Sequence, residues 1–305
     1  MHPDMKILTE ARPPPPPSQT IEENRAAWTE YSQKLSEPAP RDMTVFDRTI
    51  STPAGHVPVR VYHPGATQAL GACIVYMHGG GFMKGDLDSS DSIAWGFAEK
   101  TGASVISVDN RLAPEHPYPA AFDDCYGDLT WLADNGGDID VDGRRIAVAG
   151  DSAGGNLAAA LCLAARDRGG PKIMAQALIY PGTGLDQDRG SYIENADGPG
   201  LTTAGTKQYR DWYLPHDTDT TDPYARPIMA TDFANLPPAH VHSAEIDPIR
   251  DDGRVFASKL ALAGNLVTYR EAKGMIHGFM RARFKGPGAA AEYQAVCDFL
   301  KNQLS

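Results

Sequence analysis

Cysteine is scarce in this chain and poorly placed for chemistry. Cys73, Cys125, Cys162 and Cys297 lie far apart, each in an apolar run, with no Cys-x-x-Cys spacing and no paired histidine. That pattern speaks against a metal site and for buried, reduced thiols, as expected of a cytoplasmic protein. Positive charge is also short: 28 Lys and Arg face 39 Asp and Glu, a net charge of −11. Nucleic acid and anionic membranes are bound by basic surfaces, so neither is an expected partner, and on charge alone acidic substrates are disfavoured too. Long apolar runs are missing as well. The longest, Leu157 to Ala165, is too short to cross a bilayer, and Met1 to Lys6 carries no apolar core of a secretory signal. What is left is an ordinary globular composition, 42% hydrophobic and 22% charged, in 305 residues. That suits one large α/β domain or two small ones.

The chain opens on a proline run, Pro13 to Pro17, which reads as a stiff extended tether. Thr20 and Glu23 form a capping box, and Ile21, Trp28, Tyr31 and Leu35 follow at near-helical spacing, so residues 21–35 are expected to be an amphipathic helix. From residue 44 short apolar runs take over. Val45–Ile50 and Val57–Tyr62 read as a hairpin. Strands are then expected at Ala72–Met77, Ser104–Asp109, Ile146–Ala149, Ala175–Tyr180, His240–Ala244 and Val267–Glu271. Helical patterns near 91–101, 120–134, 153–168, 250–263 and 289–303 alternate with them. Apolar strands alternating with helices predict a mostly parallel sheet covered on both faces. Residues 185–222 break the rhythm: rich in Asp, Gly and Thr, they carry the aromatic cluster Tyr209, Trp212 and Tyr213 and read as an insertion over the sheet edge.

Residues 150–155, Gly-Asp-Ser-Ala-Gly-Gly, carry the strongest chemical signal. They place Gly-x-Ser-x-Gly between a strand-like run ending at Ala149 and a helix-like run from Asn156, the context of a nucleophile elbow at Ser152. A serine on so sharp a turn leaves no room for side chains two positions away on either side. Serine acyl transfer also needs an oriented base and donors for an oxyanion. His78-Gly79-Gly80-Gly81-Phe82 follows a strand at the mouth of the sheet and exposes backbone N–H groups, and the N–H of Ala153 opens the helix after the serine. Asp247 follows the strand ending at Ala244, and His277 follows the next strand, on the edge where Ser152 also sits. Asp251 is the rival carboxylate, but it should already lie inside the next helix. His78, the chief rival base, sits too near the glycines. His240 and His242 fall within a strand and read as structural, while His2, His56, His63 and His216 read as surface or turn residues. Asp151 reads as a support of the elbow through local hydrogen bonds.

HGGGF at 78–82, DNRLAPEHPYPAA at 109–121, GDSAGGN at 150–156, DPIRD at 247–251 and IHGF at 276–279, in that order, resemble the hormone-sensitive-lipase-like (bacterial family IV) esterases of the α/β-hydrolase superfamily. The resemblance runs from about residue 44 to the C-terminus. It implies an α/β-hydrolase fold, with a catalytic domain over 44–305 and a helical cap built from residues 1–43 and the insertion near 185–222. It also implies a carboxylesterase with Ser152 as nucleophile, His277 as base and Asp247 as its orienter. The oxyanion hole would come from Ala153 and from Gly79, Gly80 and Gly81, without saying which of these glycines donate. A small-molecule ester is the implied substrate, no metal or organic cofactor is called for, and a homodimer is plausible. Asn110, Ser90 and Arg226 stand where the family usually has Tyr, His and Ser, departures that could reshape the pocket entrance. The alternatives are an amidase or lipase, or a non-catalytic receptor on the same scaffold. Trp28, Tyr31, Tyr209, Trp212 and Tyr213 serve equally well as pocket lining or as packing.

Overall fold

The computed structural model describes residues 1–13, 20–65, 70–188, 190–214 and 221–305. Eight strands form one sheet in the order β1-β2-β4-β3-β5-β6-β7-β8. They are β1 (Thr44–Thr52), β2 (Gly55–His63), β3 (Gly71–Met77), β4 (Ser104–Val108), β5 (Val141–Asp151), β6 (Ile173–Ile179), β7 (Ala239–Ile246) and β8 (Val267–Ile276). The hairpin β1–β2 pairs antiparallel, as does β2 with β4, and every later pair is parallel. Parallel strands need crossovers, which helices supply. These are α3 (Leu87–Thr101), α4 (Ala120–Asn135), α5 (Ala153–Asp167) and α8 (Arg250–Leu262), while α9 (Pro287–Leu304) follows the last strand and packs back on the sheet. They follow α1 (Lys6–Ala11) and α2 (Ile21–Leu35), and the stretch between β6 and β7 holds α6 (Ser191–Glu194) and α7 (Thr203–Tyr213).

β3, β4, β6, most of β7 and the Ile146–Asp151 half of β5 are buried, which is why they read as continuous apolar runs. One core lies between the sheet and α4, α5 and α8, the other between the sheet and α3 and α9. The Thr20–Glu23 capping box opens α2 as its sequence predicts. A second box, Asp86 with Ser89, starts α3 four residues before the expected position. β8 is also longer than expected and runs to Ile276, so His277 comes directly off a strand end. The proline run lies outside the described residues from 14 onward, as does His216.

Two features were not anticipated. Residues 3–11 are helical, with Met5 and Leu8 in the core, and Asp4 Oδ2 accepts the N–H groups of Gly288 (2.7 Å) and Ala289 (3.0 Å), capping α9 from the other end of the chain. His63 is not a surface residue but is buried at the end of β2, with Nδ1 2.7 Å from Ser104 Oγ.

Within α4, Asp128 is fully buried and neither carboxylate oxygen has a hydrogen-bond partner among the described residues. Burial pushes its pKa from 3.8 to about 8. The folded state therefore holds a proton that the unfolded chain has released between about pH 4 and pH 8, so this group costs stability as pH rises through that window. This is the reverse of the usual ion-paired carboxylate. Asp128→Asn should remove the loss. The wild type's urea midpoint is expected to fall relative to the variant's from pH 5 to pH 8, by a few kcal/mol of stability. Parallel curves over that range would contradict a neutral buried acid.

Candidate active site

β5 ends at Asp151 and α5 begins at Ala153, leaving Ser152 alone on the turn with φ 58° and ψ −115°. A non-glycine residue at that φ is strained, and the surroundings hold it there. A Cβ on Gly150 would overlap the carbonyl of Gly154, and one on Gly154 would overlap the carbonyl of Met77 at the end of β3. Both glycines are thus required by close backbone approach, which is the steric content of the motif.

The turn delivers Ser152 Oγ to His277, where its hydroxyl donates to Nε2 at 2.9 Å. The other ring nitrogen, Nδ1–H, donates to Asp247 Oδ2 at 2.7 Å. Asp247 is fully buried, and its second oxygen, Oδ1, accepts the N–H of Ile249 at 3.1 Å. Pro248 intervenes and has no N–H to compete. The Tyr180 ring packs 4.8 Å from the imidazole, limiting its tilt. The three residues come from the ends of β5, β7 and β8, so the parallel sheet aligns them. Asp251 lies inside α8 and is held by Arg250, Arg254 and the N–H of Ser191. The strand histidines are structural: His242 Nε2 meets Glu292 Oε2 at 2.9 Å, and burial lowers the pKa of His240 to about 3.

Asp151 does more than brace its own turn. Oδ1 accepts from Tyr76 OH at 2.7 Å and from the N–H of Gly79 at 2.8 Å, and Oδ2 accepts from Tyr180 OH at 3.3 Å. Burial and the adjacent carboxylate push both phenols well above their ordinary range, so they stay neutral donors. One carboxylate therefore ties the serine turn to the glycine loop. It also takes the Gly79 N–H. Among the described residues nothing accepts the N–H groups of Gly80, Gly81 or Ala153, and these three residues line the cavity beside Ser152. Positive φ values at Gly80 (143°) and Gly81 (63°) let the loop turn back there. His78 is buried behind the loop, with Nδ1 3.1 Å from Gly79 O.

The cavity above Ser152 measures about 370 Å³. Trp28 and Tyr31 of α2 form one side, Tyr209 and Tyr213 of α7 another, and Trp212 takes no part. Tyr213 does both jobs, since its ring also stacks on Phe82 at 3.6 Å. Arg12 joins the two covering segments, its Nη2 donating to Gly200 O at 2.8 Å, and Lys84 ties the glycine-loop side to α7, its Nζ donating to Tyr209 OH at 2.9 Å. Of the departing residues, Arg226 lines the cavity and holds Gly184 O at 2.9 Å, while Ser90 is buried on the Asp86 carbonyl. Asp252, unremarked in the sequence, is buried under the cavity and accepts the N–H groups of Gly184 and Leu185. Burial raises its pKa to about 6 against those hydrogen bonds. Among the described residues no cluster of side chains could hold a metal ion, and no helix is long and apolar enough to cross a membrane.

The model of a family with the alpha/beta hydrolase fold matches residues 74–281. Esterase LipI of Mycobacterium tuberculosis is 43% identical over 248 residues, covering 80% of this chain and 77% of that protein. An ethyl acetate hydrolase of Pseudomonas putida is 34% identical over 266 residues, covering 85% and 83%. Among solved structures, a thermostable esterase from Pseudomonas putida superposes with a TM-score of 0.93 at 32% identity, covering 99% of this chain and 97% of that one. On the family match over residues 74–281 and the identity to esterases along most of its length, the chain belongs to the α/β-hydrolase family, in its hormone-sensitive-lipase-like group of esterases.

Proposed function

We propose that the protein is a serine carboxylesterase that cleaves small acyl esters through an acyl-enzyme. Ser152 Oγ attacks the ester carbonyl as His277 Nε2 takes its proton, and Asp247 holds the imidazole in the tautomer that leaves Nε2 free to accept. The N–H groups of Gly80, Gly81 and Ala153 receive the charge that develops on the carbonyl oxygen, while Gly79 spends its own on Asp151. His277 then passes the proton to the departing alcohol, and water repeats the attack. The observation that carries this reading is the unbroken series Ser152 Oγ, His277, Asp247, closed by the Ile249 N–H, at the floor of a cavity beside unused backbone donors. No step calls for a cofactor.

A cavity of about 370 Å³ and a relative named for ethyl acetate favour short to medium acyl chains. Residues 1–43 and 185–222 act as a cap over the domain 44–305, supported by their shared lining of the cavity. A cytoplasmic enzyme is supported by four buried free cysteines, and a homodimer by the family resemblance. A fluorophosphonate probe tests the core of the proposal: it should label the protein once, at Ser152, as read by peptide mass spectrometry. A folded protein that resists labelling would be a receptor rather than an enzyme.

A further inference from the structure

The cavity holds cations and donors that the proposed reaction does not use. Arg281, four residues past His277, lines the cavity and is only 4% exposed. Its Nη1 donates to Ser89 O at 2.7 Å and Ser32 Oγ at 3.3 Å, but its Nη2 is buried with no acceptor. Its guanidinium carbon stands 4.6 Å from the centre of the Trp28 ring, and Trp28 Nε1 is likewise buried without an acceptor. Lys84 Nζ approaches the same ring at 5.0 Å. Neither Arg281 nor Lys84 forms an ion pair with any described residue.

Neither carboxylate at the cavity, Asp151 or Asp252, bonds to Arg281 or Lys84. Asp151 accepts from Tyr76, Gly79 and Tyr180, and Asp252 Oδ1 from Gly184, Leu185 and Thr183, while Asp252 Oδ2 is buried without a donor among the described residues. Arg281 acts electrostatically on the Tyr76 and Tyr180 phenols, and Asp151 accepts no hydrogen bond from it. A buried guanidinium N–H left unmade costs more than a neutral one, and two orphan donors on one wall mark a missing acceptor. Neutral acyl chains supply none. The net charge of −11 disfavours anionic ligands at long range, yet this wall runs the other way.

We propose that the wall formed by Arg281, Trp28 and Lys84 is an anion subsite, so that the preferred esters carry a carboxylate in addition to the scissile group. Arg281 Nη2 and Trp28 Nε1 donate to that carboxylate, and Lys84 adds charge from the glycine-loop side. The inference rests on Ser152 being the nucleophile. It is tested with the full chain in a pH-stat on two isosteric pairs. One pair is monoethyl succinate against ethyl isocaproate, with the charge on the acyl side. The other is O-butyrylglycolate against isobutyl butyrate, with the charge on the alcohol side. In at least one pair the carboxylated ester should lead in kcat/KM by about tenfold or more at low salt. That ratio should fall to about one in Arg281→Met and in Lys84→Met. Should Arg281→Met not fold, Lys84→Met decides alone. A neutral ester equal to or better than its charged isostere in both pairs overturns the subsite while leaving the esterase reading intact. Loss of the esterase reading would show instead as no hydrolysis of any of the four and no phosphonate labelling.

Discussion

Ser152→Ala is expected to lower ester turnover by about a millionfold, the scale seen when a serine hydrolase loses its nucleophile, while the protein stays folded. The substitution removes one atom. Alanine keeps the Cβ, so the strained φ of 58° costs the same in both proteins, and the glycines that enforce the turn are untouched. Among the described residues the only hydrogen bond lost is that to His277 Nε2. A thermal midpoint within a few degrees of wild type should therefore accompany the loss of turnover on a short-chain ester. Residual hydrolysis would come from the unaltered N–H donors and the cavity, at a small fraction of the wild-type rate. Activity within tenfold of wild type would move the nucleophile elsewhere.

The elbow was legible because steric exclusion writes itself into residue type: Gly150 and Gly154 are glycine because backbone from Met77 and from α5 occupies the space of a side chain. The order of strands and helices was legible for a related reason, since buried parallel strands have no polar face to interrupt them. Contacts between distant segments left weaker traces. Nothing in the local pattern says that Asp151 reaches Gly79, because that bond depends on the register of β3 against β5. It does explain why the three loop glycines are not equivalent, a question their identical side chains could not answer. Asp4 capping α9 joins residues almost three hundred positions apart, and His63 becomes buried only when Ser104 of β4 is laid beside it. Arg281 sits in the IHGF motif's shadow. Nothing in its local sequence marks it, and only the 3₁₀ turn Phe279–Ala282 after His277 carries it inward against the Trp28 ring.

Asp247→Asn should lower kcat by about ten-thousandfold with little loss of stability, and the cause is the direction of one amide. In the wild type, Oδ1 accepts the N–H of Ile249 and Oδ2 accepts the Nδ1–H of His277. An asparagine must put its single oxygen on one of these donors and its NH2 on the other. Facing oxygen to Ile249 turns the NH2 toward Nδ1, which is then a good partner only as an acceptor. The ring proton moves to Nε2, where it points at Ser152 Oγ and blocks its activation. The opposite flip restores Nδ1–H to its acceptor but sets NH2 against the Ile249 N–H, leaving two donors facing each other in a fully buried site. The first arrangement satisfies every group and is the one expected, so the variant should fold normally with a disabled base. Single-turnover acylation by a chromogenic short-chain ester measures the effect directly, because acylation is the step that needs Nε2 to accept. Phosphonate labelling at Ser152 should slow in parallel. A fall of less than tenfold would mean that Asp247 only positions the ring, and that its charge and acceptor role contribute little to the reaction.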